Sequence, residues 1–579
     1  MQYKISVSDR NYNKYEYLDS KTLKKVEPQP PINPLQYNLF NQDIIEYRDN
    51  NCKIVHSSIR STQLSGVLVL EDNIRHGSIG NNRNMKYLYK CIPDDKRLPE
   101  FLIPYKIKLA FHKKIENIYI IFEVNKWNYS VLKFPLGTCL QNLGSTKKVE
   151  SFYEYQLYCK SLYSSITKFN KDLIKKLKEK SQLEYINTIK KKYKLEDRTI
   201  GYRKNIKIFS IDPDKSKDFD DAFSIWFPNG SKVAVVTIYI ANVALWLDVL
   251  NLWDSFSNRI STIYLPDRKR PMLPTILSDS LCSLQRGDKR FAFAVDLFVE
   301  KDTGKIINHI FKNTMIQVDA NLRYDSKTEE KYENYHDLLQ IVKKMNKEKK
   351  YLQNINSSHD MVAYLMITMN YLSALKLKEN KKGIYRSSKF NKNYKPPEKI
   401  NEDIQKFLKL WNSFGGKYCK YENIDEHEML ELDAYVHMTS PIRRLIDLLN
   451  SIDLMKICNM TPLSENAYTF YNKWTTDESI SYINTTMRSI RKVQNDCSLL
   501  NICVNDPEVL KKTYEGYIFD KIIRNDKLYQ YMVFIPELKM TNRLTSRYNM
   551  ENYLKYNFKI YIFIDEIRLK QKIRIELIQ

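Results

Sequence analysis

The segment IFSIDPDKSKDFDDAFSIWF places Asp212, Asp214, Asp218, Asp220 and Asp221 in a polar turn between two apolar runs that read as strands. Five carboxylates within ten residues repel one another, which raises their proton affinity and costs folding free energy unless cations neutralise them. A hard divalent ion with oxygen ligands is the economical partner. Phosphodiester hydrolysis at neutral pH uses what such a cluster supplies: metal ions that activate water, hold the scissile phosphate and stabilise the leaving oxygen. A calcium hand is disfavoured. Asp212, Asp214 and Ser216 imitate its opening, but Lys217 stands at the sixth position, where glycine is required, and Phe223 at the twelfth, where glutamate is required. On the loop alone, a solvated acidic turn stays open as the plainer reading.

The elements that must position these carboxylates belong to the largest unit of the chain, which opens with strands and closes with helices and so predicts an α+β domain. Val233 to Leu250 is apolar enough to suggest a membrane span. It carries Asn242, however, and its first half is β-branched, so a buried strand running into a helix is expected. Pro228-Asn229-Gly230 just before it predicts a hairpin. Further on, Ser357, Ser358 and Asp360 offer helix caps, and Met361, Leu365, Met369, Leu372 and Leu375 repeat at helical spacing as a core stripe.

Outside this unit, short strand-like runs such as SGVLVLED and NIYIIFEV predict small β-barrels, and GYIFDKII, YMVFIPE and FKIYIFIDEI predict another at the end. The expected division is a polar segment over 1–34, stiffened by Pro28, Pro30, Pro31 and Pro34 and outside any core; barrels over 35–95 and 96–170; a basic helical connector over 171–202; the α+β unit over 203–505; and a barrel over 510–579. The 579 residues carry 93 Lys and Arg against 68 Asp and Glu, a formal charge of +25 spread along the chain. That distribution suits a phosphate-lined groove, with nucleic acid ahead of an anionic membrane as partner. Nine cysteines are scattered without a CxxC pair, and no histidine lies at a zinc spacing from them. With no apolar signal core at the amino terminus, an intracellular protein is expected, cytoplasmic before nuclear.

The run SIDPDKSKDFDDAFSI resembles the signature of the RNB nuclease domain of ribonuclease II, ribonuclease R and the exosome catalytic subunit. VVTIYIANVALWLDVL, RISTIYLPDRKRPMLPTILSDSLCSL and YVHMTSPIRRLIDLLN follow the same family pattern in the same order. KRLPEFLIP with FEVNKWNYSVLKFPLGTCLQNLG is similar to the second cold-shock barrel of the exosome-type branch, without that branch's preceding nuclease domain. The resemblance implies cold-shock-like OB barrels, a central RNB catalytic domain and a closing OB-fold barrel that binds RNA. It implies that Asp212, Asp218, Asp220 and Asp221 coordinate magnesium, or manganese in its place, with Asp220 the least dispensable and Asp214 outside the set. Tyr264 matches the aromatic that stacks on the terminal nucleotides, a contact tolerant of sequence. In TSPIRR, Ser440 is expected to cap a helix that starts at Pro441. Arg443 then lies in its first turn, where exposed N–H groups and an arginine fork favour phosphate, with Arg444 as a supporting cation. The plainer alternative is a salt bridge from either arginine to Asp447.

Several polar positions depart from the family pattern. Tyr239 and Asn242 stand where HIAD is frequent, Ser451 where a histidine commonly follows TSPIRR, Gln494 where some members carry glutamate, and Tyr364 near a position that is often acidic. None removes a proposed metal ligand or the clamp arginine. The expected activity is a two-magnesium exoribonuclease, monomeric, that digests single-stranded RNA from the 3′ end to nucleoside 5′-monophosphates, with an exosome-like assembly left undecided. Its rivals are an impaired relative that holds RNA but cuts poorly and, further behind, a DNA-directed nuclease. An ATP-driven helicase is disfavoured because no GxxxxGK[ST] loop occurs among the thirteen glycines.

Overall fold

Alternating tyrosines, isoleucines and valines near the amino terminus build strands where polar composition suggests a free tail. The structure, a computed structural model, describes residues 2–48, 51–81, 84–107, 115–199, 206–324, 332–389, 400–412, 414–424 and 426–578. The expected domain start at Arg203 lies outside the described residues. The chain forms two compact units. One comprises Met1–Tyr163, Leu265–Arg268 and Arg491–Gln579; the other comprises Ser164–Tyr264 and Lys269–Ile490.

In the first unit, β1 (Gln2–Val7), β2 (Tyr15–Asp19), β3 (Ile44–Arg48) and β4 (Asn51–His56) form an antiparallel sheet in the order β2-β1-β3-β4. Its core holds Ile5, Val7, Tyr12, Tyr17, Ile32, Leu39 and Ile45. This corrects the reading of 1–34 as a segment outside any core. The proline-rich stretch folds back onto the sheet: the Gln29 side chain bonds both N–H and carbonyl of Tyr17, and the Tyr17 hydroxyl donates to the Ile32 carbonyl. Tertiary contacts of this kind leave no mark in local composition.

The next strands are β5 (Leu64–Leu68), β6 (Ser78–Ile79), β7 (Lys86–Pro93), β8 (Phe101–Tyr105), β9 (Ile118–Lys126) and β10 (Leu136–Ser145). β5 pairs with both β9 and β7, which closes a ring through β10 and β8 and makes a barrel. The division between the first two β-structures therefore falls between His56 and Leu64 and not at 95/96, because the last strands of the expected first barrel pair into the second. At the carboxyl end, where a small barrel is expected, β22 (Tyr514–Ile523), β23 (Tyr529–Ile535), β24 (Met540–Ser546), β25 (Lys555–Asp565) and β26 (Lys570–Ile578) form a five-stranded antiparallel sheet in the order β24-β23-β22-β25-β26.

The second unit is built on a sheet with the order β11-β18-β17-β14-β13-β12-β19. These strands are β11 (Glu196–Asp197), β12 (Phe209–Asp212), β13 (Asp221–Trp226), β14 (Val233–Ala241), β17 (Lys289–Glu300), β18 (Ile306–Gln317) and β19 (Ala320–Arg323). A separate pair, β20 (Ile384–Lys389) with β21 (Phe414–Lys420), lies outside it. β13 and β14 form the predicted hairpin around Gly230, which takes φ +69°, and β14 runs into the helix Val243–Val249. Eight of the nine β14 residues are buried, as apolar runs covered on both faces require. The helix Ser358–Glu379 starts at the predicted Ser357 cap with a full capping box to Asp360. The expected connector consists of the helices Thr167–Leu177 and Gln182–Lys192, whose Phe169, Leu173, Tyr185, Ile186 and Ile189 are buried, so it is part of a core as well as basic. Among the described residues no helix is long and apolar enough to cross a membrane.

Ile5 is fully buried in the first sheet, so Ile5→Ala is expected to cost about 3 kcal/mol of stability and to make residues 1–34 sensitive to limited proteolysis; an unchanged urea midpoint and digestion pattern would return that segment to the status of a free tail.

Candidate active site

β12 ends at Asp212 and the antiparallel β13 begins at Asp221, so the two strand ends bring these carboxylates together while Asp218 and Asp220 sit in the connecting turn. That turn cannot relax outward, because its backbone is tied on both sides. Phe219 N–H donates to Ser283 Oγ at 3.0 Å, Ser283 Oγ donates to the Lys217 carbonyl at 2.7 Å, and Leu284 N–H donates to the Phe219 carbonyl at 3.0 Å. From β14, Ala241 N–H donates to the Asp220 carbonyl at 2.8 Å. Asp214 lies apart in an exposed ion pair with Arg323, 2.6 Å away.

Burial then sets the electrostatics. It raises Asp212 to about 7, with Asp218 adding to the effect and the Ser210 hydroxyl and Arg443 opposing it. Burial also raises Asp220 to about 7 against the pull of Arg443 and of the Ile442 N–H. Asp221 is carried well above the usual carboxylate range by burial and by the neighbouring Asp212 and Asp220. Asp212 Oδ2 and Asp221 Oδ2 are shut off from solvent without a hydrogen-bond partner.

The TSPIRR segment supplies the first cation from more than two hundred residues away. Arg443 Nε lies 3.2 Å from Asp220 Oδ2, its Nη2 donates to Ser440 Oγ at 2.8 Å, and Ile442 N–H donates to Asp220 Oδ1 at 3.0 Å. The expected helix start at Pro441 is corrected: residues 441–443 form a turn and the helix runs from Leu445 to Ile457. Arg444 is held extended, at φ −137° and ψ 127°, by pairing of 443–445 with 260–262, in which Thr262 N–H donates to the Arg443 carbonyl and Leu445 N–H to the Ile260 carbonyl. Arg443 therefore works as a side-chain cation and not through a helix dipole. Ser440 steadies its guanidinium instead of capping backbone. Arg444 takes the plainer role, its Nη2 2.8 Å from the buried Asp447, which also accepts from Ser440 N–H at 2.7 Å.

A short ribbon of β15 (Ile263–Tyr264) and β16 (Lys269–Arg270) supplies the rest. Tyr264 pairs directly with Lys269, so both side chains stand on one face. The Tyr264 hydroxyl is 3.5 Å from Asp218 Oδ2, at the outer limit of a hydrogen bond, while the residue keeps 43% of its surface exposed. Burial and Asp218 together raise its phenol above the usual value. Lys269 Nζ lies 2.8 Å from Asp218 Oδ1 and 2.9 Å from Asp279 Oδ1. Burial pulls this ammonium down, but the two carboxylates carry it above the ordinary lysine value. Sequence reasoning missed Lys269, Asp279 and Ser283, although all three lie within the quoted RISTIYLPDRKRPMLPTILSDSLCSL run; only the strand pairing turns Lys269 toward the acidic turn.

Against known proteins, a family model described as the RNB domain matches residues 202–459. That stretch of the chain carries the match to an RNB domain. Among curated relatives, a fission yeast (Schizosaccharomyces pombe) protein named DIS3-like exonuclease 2 is 30% identical over 260 residues, 42% of this chain and 26% of its own. The ribonuclease R of Chlamydia trachomatis is 31% identical over 118 residues, 20% of this chain and 17% of its own. The chain thus matches about a quarter or less of the length of these two relatives. Among solved structures, Mycoplasma genitalium RNase R in complex with ribose-methylated single-stranded RNA superposes with a TM-score of 0.67 at 16% identity, covering all of both chains. Yeast Ssd1, described as a pseudonuclease, superposes at 0.60 with 13% identity over 94% of this chain and 78% of its own. At such identities the likeness is one of fold, OB barrels with an RNB domain, and that fold is common to a nuclease and a pseudonuclease.

Within the RNB domain the departures from the family pattern make their hydrogen bonds away from the acidic turn. Tyr239 joins Arg198 and Ser224, Asn242 donates to Asn313 at 2.9 Å, Ser451 donates to the Leu448 carbonyl, and Tyr364 donates to the Lys349 carbonyl. The acidic set fits a divalent cation by its donor chemistry. Two orphaned, buried carboxylate oxygens at Asp212 and Asp221 offer a hard ion what it prefers. Among the described residues no three acidic, histidine or cysteine side chains are grouped so that they could hold a metal ion by themselves; magnesium usually takes one or two carboxylates and completes its shell with water and substrate oxygens.

A pH dependence of stability follows for the metal-free RNB domain. Unfolded aspartates ionise near 3.9, whereas Asp212 and Asp220 keep their protons up to about 7 in the fold. Between those values the folded chain binds more protons, so its stability falls as pH rises from about 4 to about 7. In EDTA, Asp221→Asn is expected to melt several degrees above the wild type at pH 8, with the gap closing toward pH 4.5. Thermal scans across pH check this, and a gap independent of pH would deny its electrostatic origin.

Proposed function

We propose that the protein is a hydrolytic exoribonuclease that digests single-stranded RNA from its 3′ end to nucleoside 5′-monophosphates with magnesium or manganese. One observation carries the reading: the four aspartates, Arg443 and Tyr264 meet in a single place although they come from three distant segments. The names of the relatives, an exonuclease and a ribonuclease R, agree with it. A divalent ion at the aspartates would supply an activated water and positive charge at the scissile phosphate.

The chain's own residues supply the remainder. Arg443, half exposed beside Asp220, can share its guanidinium with a phosphate oxygen through charge-assisted bonds. The exposed Tyr264 ring offers a stacking face to the terminal bases and so registers the last phosphodiester against the acidic turn. In the reaction water adds across the P–O3′ bond. The hydroxyl joins phosphorus, the proton goes to the departing 3′ oxygen, and a nucleoside 5′-monophosphate leaves the shortened strand. The overall charge of +25 favours a polyanion and makes binding salt-dependent.

A reading as an RNA-holding pseudonuclease has the fold of Ssd1 in its favour, but the complete aspartate set argues for cleavage. With 5′-labelled single-stranded RNA and magnesium, a ladder shortening from the 3′ end is expected, abolished by EDTA. Intact RNA would overturn the enzyme reading, and shortening of a matched DNA strand at the same rate would overturn the preference for RNA. Asp220→Asn is expected to abolish cleavage with RNA binding retained, and Arg443→Ala to lower kcat by about 10²–10³-fold with little change in the affinity for long RNA.

A further inference from the structure

We infer that a cavity walled by the helix Val149–Cys159, the last turns of the helix Asp477–Asn505 and the strands β23, β24 and β26 is a binding site for a small phosphorylated ligand with an apolar ring, a nucleoside diphosphate by its chemistry. The cavity holds about 620 Å³, within the range of about 300–1,000 Å³ common to small-molecule sites. All of its lining belongs to the first unit, and none of it to the acidic turn.

Lys160, Lys492, Arg543, Arg568, Lys570 and Lys572 line the cavity, against the two carboxylates Asp94 and Asp496. Three of these cations have partners. Lys570 Nζ lies 2.6 Å from Asp94 Oδ1, Arg568 Nε donates to the Asp94 carbonyl at 2.8 Å, and Lys572 pairs with Asp565. The two bonds to Asp94 tie the end of the sheet to the segment after β7 along one side of the cavity. Among the described residues Lys160, Lys492 and Arg543 make no ion pair. Asp496 feels the charges of Lys492, Lys160 and Lys570 together, and one carboxylate leaves that group in positive excess. A recess lined by one sign of charge and backed by apolar side chains focuses the field and draws anions into it. Lysine ammonium groups and an arginine fork are the usual donors to phosphoryl oxygens.

Charge alone would suit any anion, but two further features narrow the ligand. Phe152, Leu499, Leu500, Met532 and Ile573 give the same cavity an apolar wall, which a bare phosphate leaves unused. Gln156 also lines it. This residue is 4% exposed, yet its amide has no hydrogen-bond partner among the described residues. An amide buried without a partner costs free energy, and such groups are rare in a folded chain. Its carbonyl accepts and its NH2 donates, a pairing that complements the donor and acceptor edge of a nucleobase. A nucleoside diphosphate uses the free cations, the apolar wall and the amide at once.

Calorimetric titration of the full chain with ADP tests the site, in EDTA so that no metal bridges the nucleotide to the aspartates, and at about 0.15 M salt to screen surface charge. One ADP per chain is expected, bound more tightly than pyrophosphate. The double variant Lys492→Ala, Arg543→Ala should weaken it by about tenfold or more, while Tyr264→Ala leaves it unchanged. Gln156→Leu is expected to weaken ADP by about tenfold and, by removing an unpartnered amide, to raise the melting temperature of the ligand-free chain. A lowered melting temperature would mean that the fold itself uses the amide and would overturn its role in binding. Absence of binding, or binding indifferent to the double variant, would overturn the site. Pyrophosphate binding as tightly as ADP would overturn the nucleoside, and displacement of ADP by a short single-stranded RNA would make the cavity part of an RNA path instead of a separate site. None of these outcomes bears on cleavage at the acidic turn.

Discussion

Carboxylates that would separate in water are held together here because their backbone gives them no other place to go. Asp212 and Asp221 terminate two adjacent strands, and the turn between them is tied to Ser283, Leu284 and Ala241. Repulsion among the side chains is thus offset by main-chain hydrogen bonds and by a buried apolar sheet around β14 and β17. An uncompensated buried charge costs several kcal/mol, and a domain has only about 5–15 kcal/mol of net stability. Few such charges can be tolerated without cations nearby.

Most of the surrounding structure answers that demand. Arg443 and the Ile442 N–H reach Asp220 from the segment before a long buried helix, and Lys269 reaches Asp218 from a two-stranded ribbon. Each cation is itself fixed, Arg443 by Ser440 and Lys269 by Asp279. Fixed positive groups beside fixed negative ones give a centre whose charges are oriented by the fold itself, the condition under which a site can stabilise developing charge without reorganising. The orphaned oxygens of Asp212 and Asp221 are the part of the arrangement that side chains leave unanswered.

The departures from the family pattern at Tyr239, Asn242, Tyr364 and Ser451 belong to the packing behind the sheet and helices. Their hydrogen bonds go to Ser224, to Asn313 and to the carbonyls of Lys349 and Leu448. A fold shared with both a nuclease and a pseudonuclease leaves the chemistry to the few residues at the strand ends.

Much of this arrangement is legible in the amino-acid sequence by itself. The acidic turn between two strands, the Asn-Gly hairpin, the Ser357 capping box and the closing β-structure are local patterns, in which neighbouring residues determine one another's conformation, and each lies where its residues predict. The resemblance carried by four long runs locates the arginine and the tyrosine as well. Tertiary structure alone decided the rest: that residues 1–34 belong to a core, that β7 and β8 complete the second barrel, that pairing with 260–262 delays the helix after TSPIRR, and that Lys269 turns to Asp218 while Arg444 turns to Asp447. These are contacts between residues distant in the chain or across a register. Side-chain type and spacing specify what a group can do, but which partner it meets is settled only when the backbone has closed around it.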